Sequence, residues 1–189
     1  MILGISGSIA SGKTFVSQTI LKTVPLFYTS FSDVLKKNCQ DCGLSPSRDV
    51  LQNLGKRLID TKGADGFIEW ILNQSHLPAD HLLLDGFRHV TIWDAFQKRF
   101  PTARLIFCDV SPEVQINRIC ARDGLSRSQA AAILTHPVEQ DVCRLKTKAS
   151  VIFDEKSNEE DIIKWVTHPV CIRRGSVPFK NPSREYGST

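Results

Sequence analysis

The chain has no apolar run approaching the roughly 18 residues of a membrane span, so a membrane protein is not expected. It shows no internal repeat and no low-complexity linker. Cysteines stand scattered at 39, 42, 108, 120, 143 and 171. Cys39 and Cys42 have C-x-x-C spacing, but no second cysteine pair or histidine pair completes a zinc set. The histidines at 76, 81, 89, 136 and 168 lack ligand spacing and carry no expected chemistry. No charged leader precedes an apolar stretch, and Met1 runs straight into an apolar segment. A signal peptide is therefore not expected, and a cytoplasmic location follows by default.

What is present is ordinary in bulk and uneven in detail. The 189 residues are 41% hydrophobic and 23% charged, the profile of one globular domain with a sizeable core. The net charge of +4 sits mostly in residues 168–189, which hold Arg173, Arg174, Lys180 and Arg184 against Glu185. That stretch also carries Pro169, Pro178 and Pro182 and has no periodicity. It reads as an extended basic tail that solubilises the chain or touches nucleic acid.

The most specific signal is Gly7-Ser-Ile-Ala-Ser-Gly-Lys-Thr14, which fits the phosphate-binding loop G-x-x-x-x-G-K-[ST]. An apolar run over residues 1–6 reads as a buried strand before it. Phe15, Val16, Thr19 and Ile20 fall at the spacing of one helical face after it. Gly7 and Gly12 let the backbone approach phosphate oxygens, and Ser8, Ala10 and Ser11 supply further N–H groups to an anion nest. The following helix adds the positive end of its dipole. Lys13 can reach the terminal phosphates and the Thr14 hydroxyl can ligate Mg²⁺. ATP and Mg²⁺ are the expected cofactors, with nothing to separate ATP from GTP.

Strand and helix signals alternate, as in an α/β parallel sheet. Strands are expected at 1–6, 26–29, 81–85, 103–110 and 150–153. Ser32 or Asp33 is the expected cap of a helix running toward Cys42. Ser47 caps the next, which carries Val50, Leu51, Leu54 and Leu58 and ends at Gly63. Asp65 opens another with Phe67, Ile68, Ile71 and Leu72. Further helices are expected over about 90–100, from Pro112 to about Arg122, from a Ser126 cap to Leu134, and from an Asn158 cap onward. Trp70, Trp93 and Trp165 are read as core. The fold class is α/β: a five-stranded parallel sheet flanked by helices, with a helical insertion over 31–75 and a polar one over 118–148. Ligands of such sheets sit at the carboxyl ends of the strands, so the glycine loop, Asp33, Asp85 and Asp109 should surround one cleft.

The layout resembles the P-loop nucleotide kinases across residues 1–167. The loop itself and Gln115-Ile-Asn-Arg118-Ile-Cys-Ala-Arg122-Asp-Gly-Leu-Ser-Arg-Ser-Gln-Ala130 are similar to dephospho-CoA kinases. Phe31-Ser-Asp-Val-Leu-Lys36, Arg48-Asp-Val-Leu-Gln-Asn-Leu-Gly55-Lys-Arg57 and Leu84-Asp-Gly-Phe-Arg88 look more like phage-type deoxynucleoside monophosphate kinases. Asp33 stands alone where dephospho-CoA kinases usually carry an aspartate pair. The resemblance implies a magnesium-dependent kinase with 31–75 binding the acceptor and 118–148 forming a lid. The acceptor would be a deoxynucleoside monophosphate or dephospho-CoA.

Arg118 and Arg122, four apart on one helical face, either clamp the transferring phosphoryl or form a solvated surface. Arg88 follows a buried strand and is placed to bind an acceptor phosphate. Arg48 and Arg57 are substrate-binding candidates or plain surface residues. Asp33 accepts a hydroxyl proton, orients the acceptor sugar, or merely caps its helix. Asp85 holds Mg²⁺ through water or forms a turn before Gly86. Two other functions remain open: a kinase for a hydroxyl on nucleic acid held by the basic tail, including a modified base, and a P-loop ATPase switch with no acceptor. Oligomeric state is left open.

Overall fold

A computed structural model describes residues 1–168 apart from Ala79 and His136. The tail expected over 168–189 lies outside the described residues except for His168. Among the described residues no helix is long and apolar enough to cross a membrane.

The strands are β1 (Ile2–Gly7), β2 (Phe27–Ser30), β3 (Leu82–Phe87), β4 (Arg104–Cys108) and β5 (Val151–Phe153). All pair in parallel, in the order β2-β3-β1-β4-β5. The helices are α1 (Lys13–Thr23), α2 (Phe31–Asp41), α3 (Arg48–Ser75), α4 (Val90–Arg99), α5 (Pro112–Asp123), α6 (Arg127–Leu134), α7 (Pro137–Arg144) and α8 (Glu159–Thr167), with a 3-10 turn at Leu145–Lys148 before β5. The expected α/β sheet is present, with β1 at its centre.

Side-chain alternation explains the two layers. Leu82, Leu84, Phe87, Leu105 and Phe107 point to one face, where Phe31, Phe67, Ile71, Trp93 and Phe96 cover them. Leu3, Ile5, Leu83, Ile106 and Phe153 point to the other, under Val16, Ile20, Ile162 and Val166. Trp93 is fully inside, whereas Trp70 and Trp165 pack at the margins of the two cores.

Several local expectations change. Ser30, not Ser32 or Asp33, caps α2: its hydroxyl accepts the Asp33 N–H at 3.0 Å. Asp33 is one turn inside the helix and accepts from Ser30 Oγ at 2.7 Å. Asp85 is not a turn residue, because β3 continues through Phe87. The pairing of β1 with β3 slips there: Ile5 faces Asp85 and Ser6 faces Phe87, leaving Gly86 as an extra residue at φ 100°. That slip re-aims the residues on either side of it. α3 is two helical halves joined at Gly63, which has φ 68° and ψ 177°. Its first half does not bury Val50, Leu51, Leu54 or Leu58, which are only half-covered, while Phe67, Ile68 and Ile71 are buried. Phe15 is 51% exposed and leaves the buried face of α1 to Val16, Thr19 and Ile20. Ser47, Ser126 and Asn158 cap their helices as expected.

Gly4 is a tight packing constraint in the core. A Cβ there would stand 2.7 Å from the Trp93 ring and 2.8 Å from Phe87. Overpacking of this kind costs about 1–3 kcal/mol. Gly4→Ala should lower unfolding free energy by that amount in urea titration; an unchanged midpoint would contradict the packing described.

Candidate functional site

The glycine loop leaves the carboxyl end of β1 and turns into α1. Gly7 adopts φ 142°, and a Cβ on it would lie 2.5 Å from the Cys108 carbonyl oxygen and 2.6 Å from Ser11 Oγ. Ala10 (φ 60°) and Gly12 (φ 96°) also adopt positive φ, the left-handed side of backbone space. Gly12 caps α1 without any side-chain hydrogen bond, and no acid occupies the first turn. The N-terminal amides of α1 thus face the cleft uncapped by protein side chains. Lys13 Nζ folds back over the loop, donating to the Gly7 and Ser8 carbonyls at 2.7 Å each. Burial lowers its pKa, and the Asp85 carboxylate opposes that shift. Burial pushes the thiol of Cys108 beside it up to about 12, which favours its protonated form.

Three arginines share this cleft of about 800 Å³ with the loop: Arg88, Arg118 and Arg122. Arg118 donates to the Ala10 carbonyl at 3.0 Å, so it touches the loop across 108 positions of sequence. Arg122 lies one turn on, with its guanidinium held bidentately by Asp123 at 2.7 and 2.8 Å. Arg88 follows β3 and donates to Glu139 Oε1 at 2.9 Å. Glu139, from the first turn of α7, is 3% exposed, and its Oε2 accepts the Ile9 N–H at 3.1 Å. Phe15 and the Asp154–Ser157 turn also line it.

On the other side of Lys13 stands Asp85, 8% exposed. Tyr28 OH donates to its Oδ2 at 3.3 Å, while Oδ1 is buried without a partner. Burial raises the Asp85 pKa, with Lys13 and Tyr28 pulling the other way. Burial and the adjacent Asp85 push the Tyr28 phenol up strongly. Asp33 is within electrostatic reach of both. It is exposed and pairs with Lys36 at 3.4 Å.

The remaining candidates lie apart from the cleft lining. Asp109 pairs with Lys146 at 2.6 Å rather than facing the loop. Arg57 lines a smaller cavity of about 290 Å³ with Asn38 and Asn53, between α2 and α3. Arg48 acts on Asp123, the partner of Arg122, from the start of α3. None of the three strand-end aspartates expected around the cleft lines it: Asp85 stands beside Lys13, Asp33 pairs with Lys36 and Asp109 with Lys146. Sequence reading missed Glu139 and Tyr28. Pro137 with an acid two residues later does signal a helix start, but nothing local marks that acid as buried.

The residues suit a magnesium polyphosphate. The Gly7 cradle excludes any side chain, the α1 amides are uncapped, and the Ser11 hydroxyl is buried without a partner. A buried acceptor without a donor costs roughly 1–3 kcal/mol and more if charged. Asp85 Oδ1 is such an atom, and a hydrated cation would satisfy it. Thr14, exposed at the cleft, is the second candidate ligand.

Comparison with known proteins agrees with this geometry. The model of the AAA domain family matches residues 3–133. A dephospho-CoA kinase from Fusobacterium nucleatum is 27% identical over 190 residues, covering 88% of this chain and 95% of that one. A dephospho-CoA kinase from Sodalis glossinidius is 26% identical over 187 residues, covering 85% and 86%. A shikimate kinase structure from Bacteroides thetaiotaomicron superposes with a TM-score of 0.56 at 14% identity, covering 91% and 99%, which shows a shared fold. The chain therefore belongs to the AAA domain family and, with it, to the P-loop nucleotide kinase superfamily.

Proposed function

We propose that the protein is a magnesium-dependent kinase that transfers the γ-phosphoryl group of ATP to a nucleotide or nucleotide-like acceptor. The acceptor is of the deoxynucleoside monophosphate or dephospho-CoA class. The observation that carries this reading is the convergence of Lys13, Arg88, Arg118 and Arg122 on one cleft beside an anion nest. A nucleotide switch needs one polyphosphate site; two anionic substrates need cations on both sides of the transferring group.

In this reading the bond from the γ-phosphorus to the β–γ bridging oxygen breaks. An acceptor oxygen forms the new bond, and ADP leaves. The loop amides of Gly7, Ser8, Ala10, Ser11 and Gly12 hold the donor phosphates. Lys13 neutralises charge developing on the γ-phosphoryl. Arg118 and Arg122 close on it from the 118–148 lid region. Thr14 and Asp85 are the residues that would hold magnesium, which when bound would supply further charge neutralisation. Arg88 grips the acceptor, with Arg48 and Arg57 contributing from the 31–75 insertion. Asp33 takes the proton if the acceptor is a hydroxyl; if the acceptor is a phosphate, no strong base is needed and Asp33 orients its sugar. The two dephospho-CoA kinases named above support the hydroxyl case.

The direct test incubates the protein with ATP, Mg²⁺ and a panel of nucleoside monophosphates, deoxynucleoside monophosphates, dephospho-CoA and DNA, read by mass spectrometry. Phosphorylation of a small nucleotide acceptor is expected; ATP turnover indifferent to every acceptor would contradict the kinase reading. Lys13→Ala should cost on the order of 100-fold in kcat. Arg88→Ala should raise acceptor KM about 10- to 100-fold, the worth of a charge-assisted bond at about 1.5–3 kcal/mol.

A second prediction follows from Asp85. Burial raises its folded-state pKa above the ordinary 3.8. Such a carboxyl stabilises the fold fully below its unfolded pKa, and that contribution is lost as pH rises through the folded value. Metal-free protein should lose this component between about pH 4 and the raised pKa, and Asp85→Asn should not. The check is the difference between the two proteins' unfolding free energies across that window in chelator; parallel profiles would contradict the assignment.

A further inference from the structure

The reading above gives the glycine loop to the donor and Arg88 to the acceptor, yet a single buried carboxylate touches both. Glu139 Oε1 accepts from Arg88 Nη1 at 2.9 Å and its Oε2 accepts from Ile9 N at 3.1 Å. The helix that carries it is fixed from below: Val142 and Leu145, following it on α7 and the next turn, are fully buried in the core under α4. It is fixed from the side as well, because Asp141 Oδ2 meets His89 Nδ1 at 2.7 Å. Two acids of α7 therefore hold two successive residues, Arg88 and His89, where the chain leaves β3.

The electrostatics require such a partner. Arg88 lowers the pKa of Lys13, and Glu139 raises it, so all three charges sit within reach of one another. An arginine beside a buried lysine is repelled from the cleft unless an anion retains it. Its long side chain also carries rotamer entropy that must be surrendered before it can bind anything. Glu139 engages Nη1 alone. A guanidinium has five N–H donors in a rigid fork, so an edge remains for bidentate contact with a phosphate.

We propose that Glu139 is a positioning residue of the cleft: it aims the Arg88 guanidinium at the acceptor and ties that guanidinium to the nucleotide loop at Ile9. The two anionic substrates are then received at a fixed separation. The proposal rests on the assignment of Arg88 to the acceptor. It differs in sign from the idea that Glu139 merely fills an anion site and must leave. A filler's removal would tighten acceptor binding; a positioner's removal weakens it.

The test compares the full-length protein with Glu139→Gln, Glu139→Asp, Arg88→Ala and the Glu139→Gln/Arg88→Ala double variant, using whichever panel acceptor the native protein phosphorylates. Glutamine keeps the shape but cannot accept from both donors, since its amide nitrogen only donates. Acceptor KM should rise about 10-fold or more in Glu139→Gln, roughly the effect of one charged hydrogen bond. Glu139→Asp should recover part of the loss, and the double variant should show no rise beyond Arg88→Ala. A lowered KM, an unchanged KM in folded Glu139→Gln, or an equal rise with and without Arg88 would overturn the proposal. If the native protein phosphorylates no acceptor, the kinase reading fails, and the tie is read instead by amide hydrogen exchange. Exchange at Ile9 should then quicken about 10-fold or more in Glu139→Ala, for loss of a bond to a charged acceptor; unchanged exchange would overturn the tie itself.

Discussion

Gly7 ends the central strand pressed against the Cys108 carbonyl at a distance no side chain could share. The rest of the cleft takes its position from that contact. Because β1 lies between β3 and β4, the chain leaving it emerges between the carboxyl ends of its two neighbours. Asp85 and Arg88 arrive from one neighbour and Cys108 from the other. A wider turn at Gly7 would carry the α1 amides away from the place where Lys13 and Arg118 converge. The buried core on both sheet faces fixes β1, and β1 fixes the loop.

Charge is arranged in the same economy of space. Lys13 and Asp85 are each disfavoured by burial and each eased by the other. Lys13 is satisfied by two loop carbonyls, whereas Asp85 keeps an unpartnered oxygen and the Ser11 hydroxyl has no partner. Polar groups left in that condition inside a fold mark a place where a ligand completes the bonding. Around them Glu139 and Asp123 hold Arg88 and Arg122 in set orientations. The site is thus built from cations held by acids or by loop carbonyls, with the nest of amides at its centre.

Much of this was legible in the amino-acid order, and the reason is locality. The loop motif, the strand alternation and the caps at Ser47, Ser126 and Asn158 depend on neighbours within a few positions. The cap of α2 is not legible locally, because Ser30, Ser32 and Asp33 all compete for the role and only the backbone turn at Ser30 decides it. Asp85-Gly86 resembles a turn in sequence, yet here the glycine absorbs a slip in strand register. Phe15 fits a helical stripe by spacing but lines the cleft and stays 51% exposed. Glu139 was invisible for a different reason: its partners, Ile9 and Arg88, lie 130 and 51 positions away. Long-range ion pairs leave no periodicity to read.

The account's central claim is that the turn after β1 binds a magnesium polyphosphate through its backbone. Isothermal calorimetry with a non-hydrolysable magnesium–ATP analogue tests it most directly, comparing the native protein with Gly7→Ala. Saturable binding to one site per chain is expected for the native protein. It should vanish in Gly7→Ala, whose folded state is checked separately by thermal melting. No heat of association with the native protein, or equal affinity in a folded Gly7→Ala, would contradict the claim.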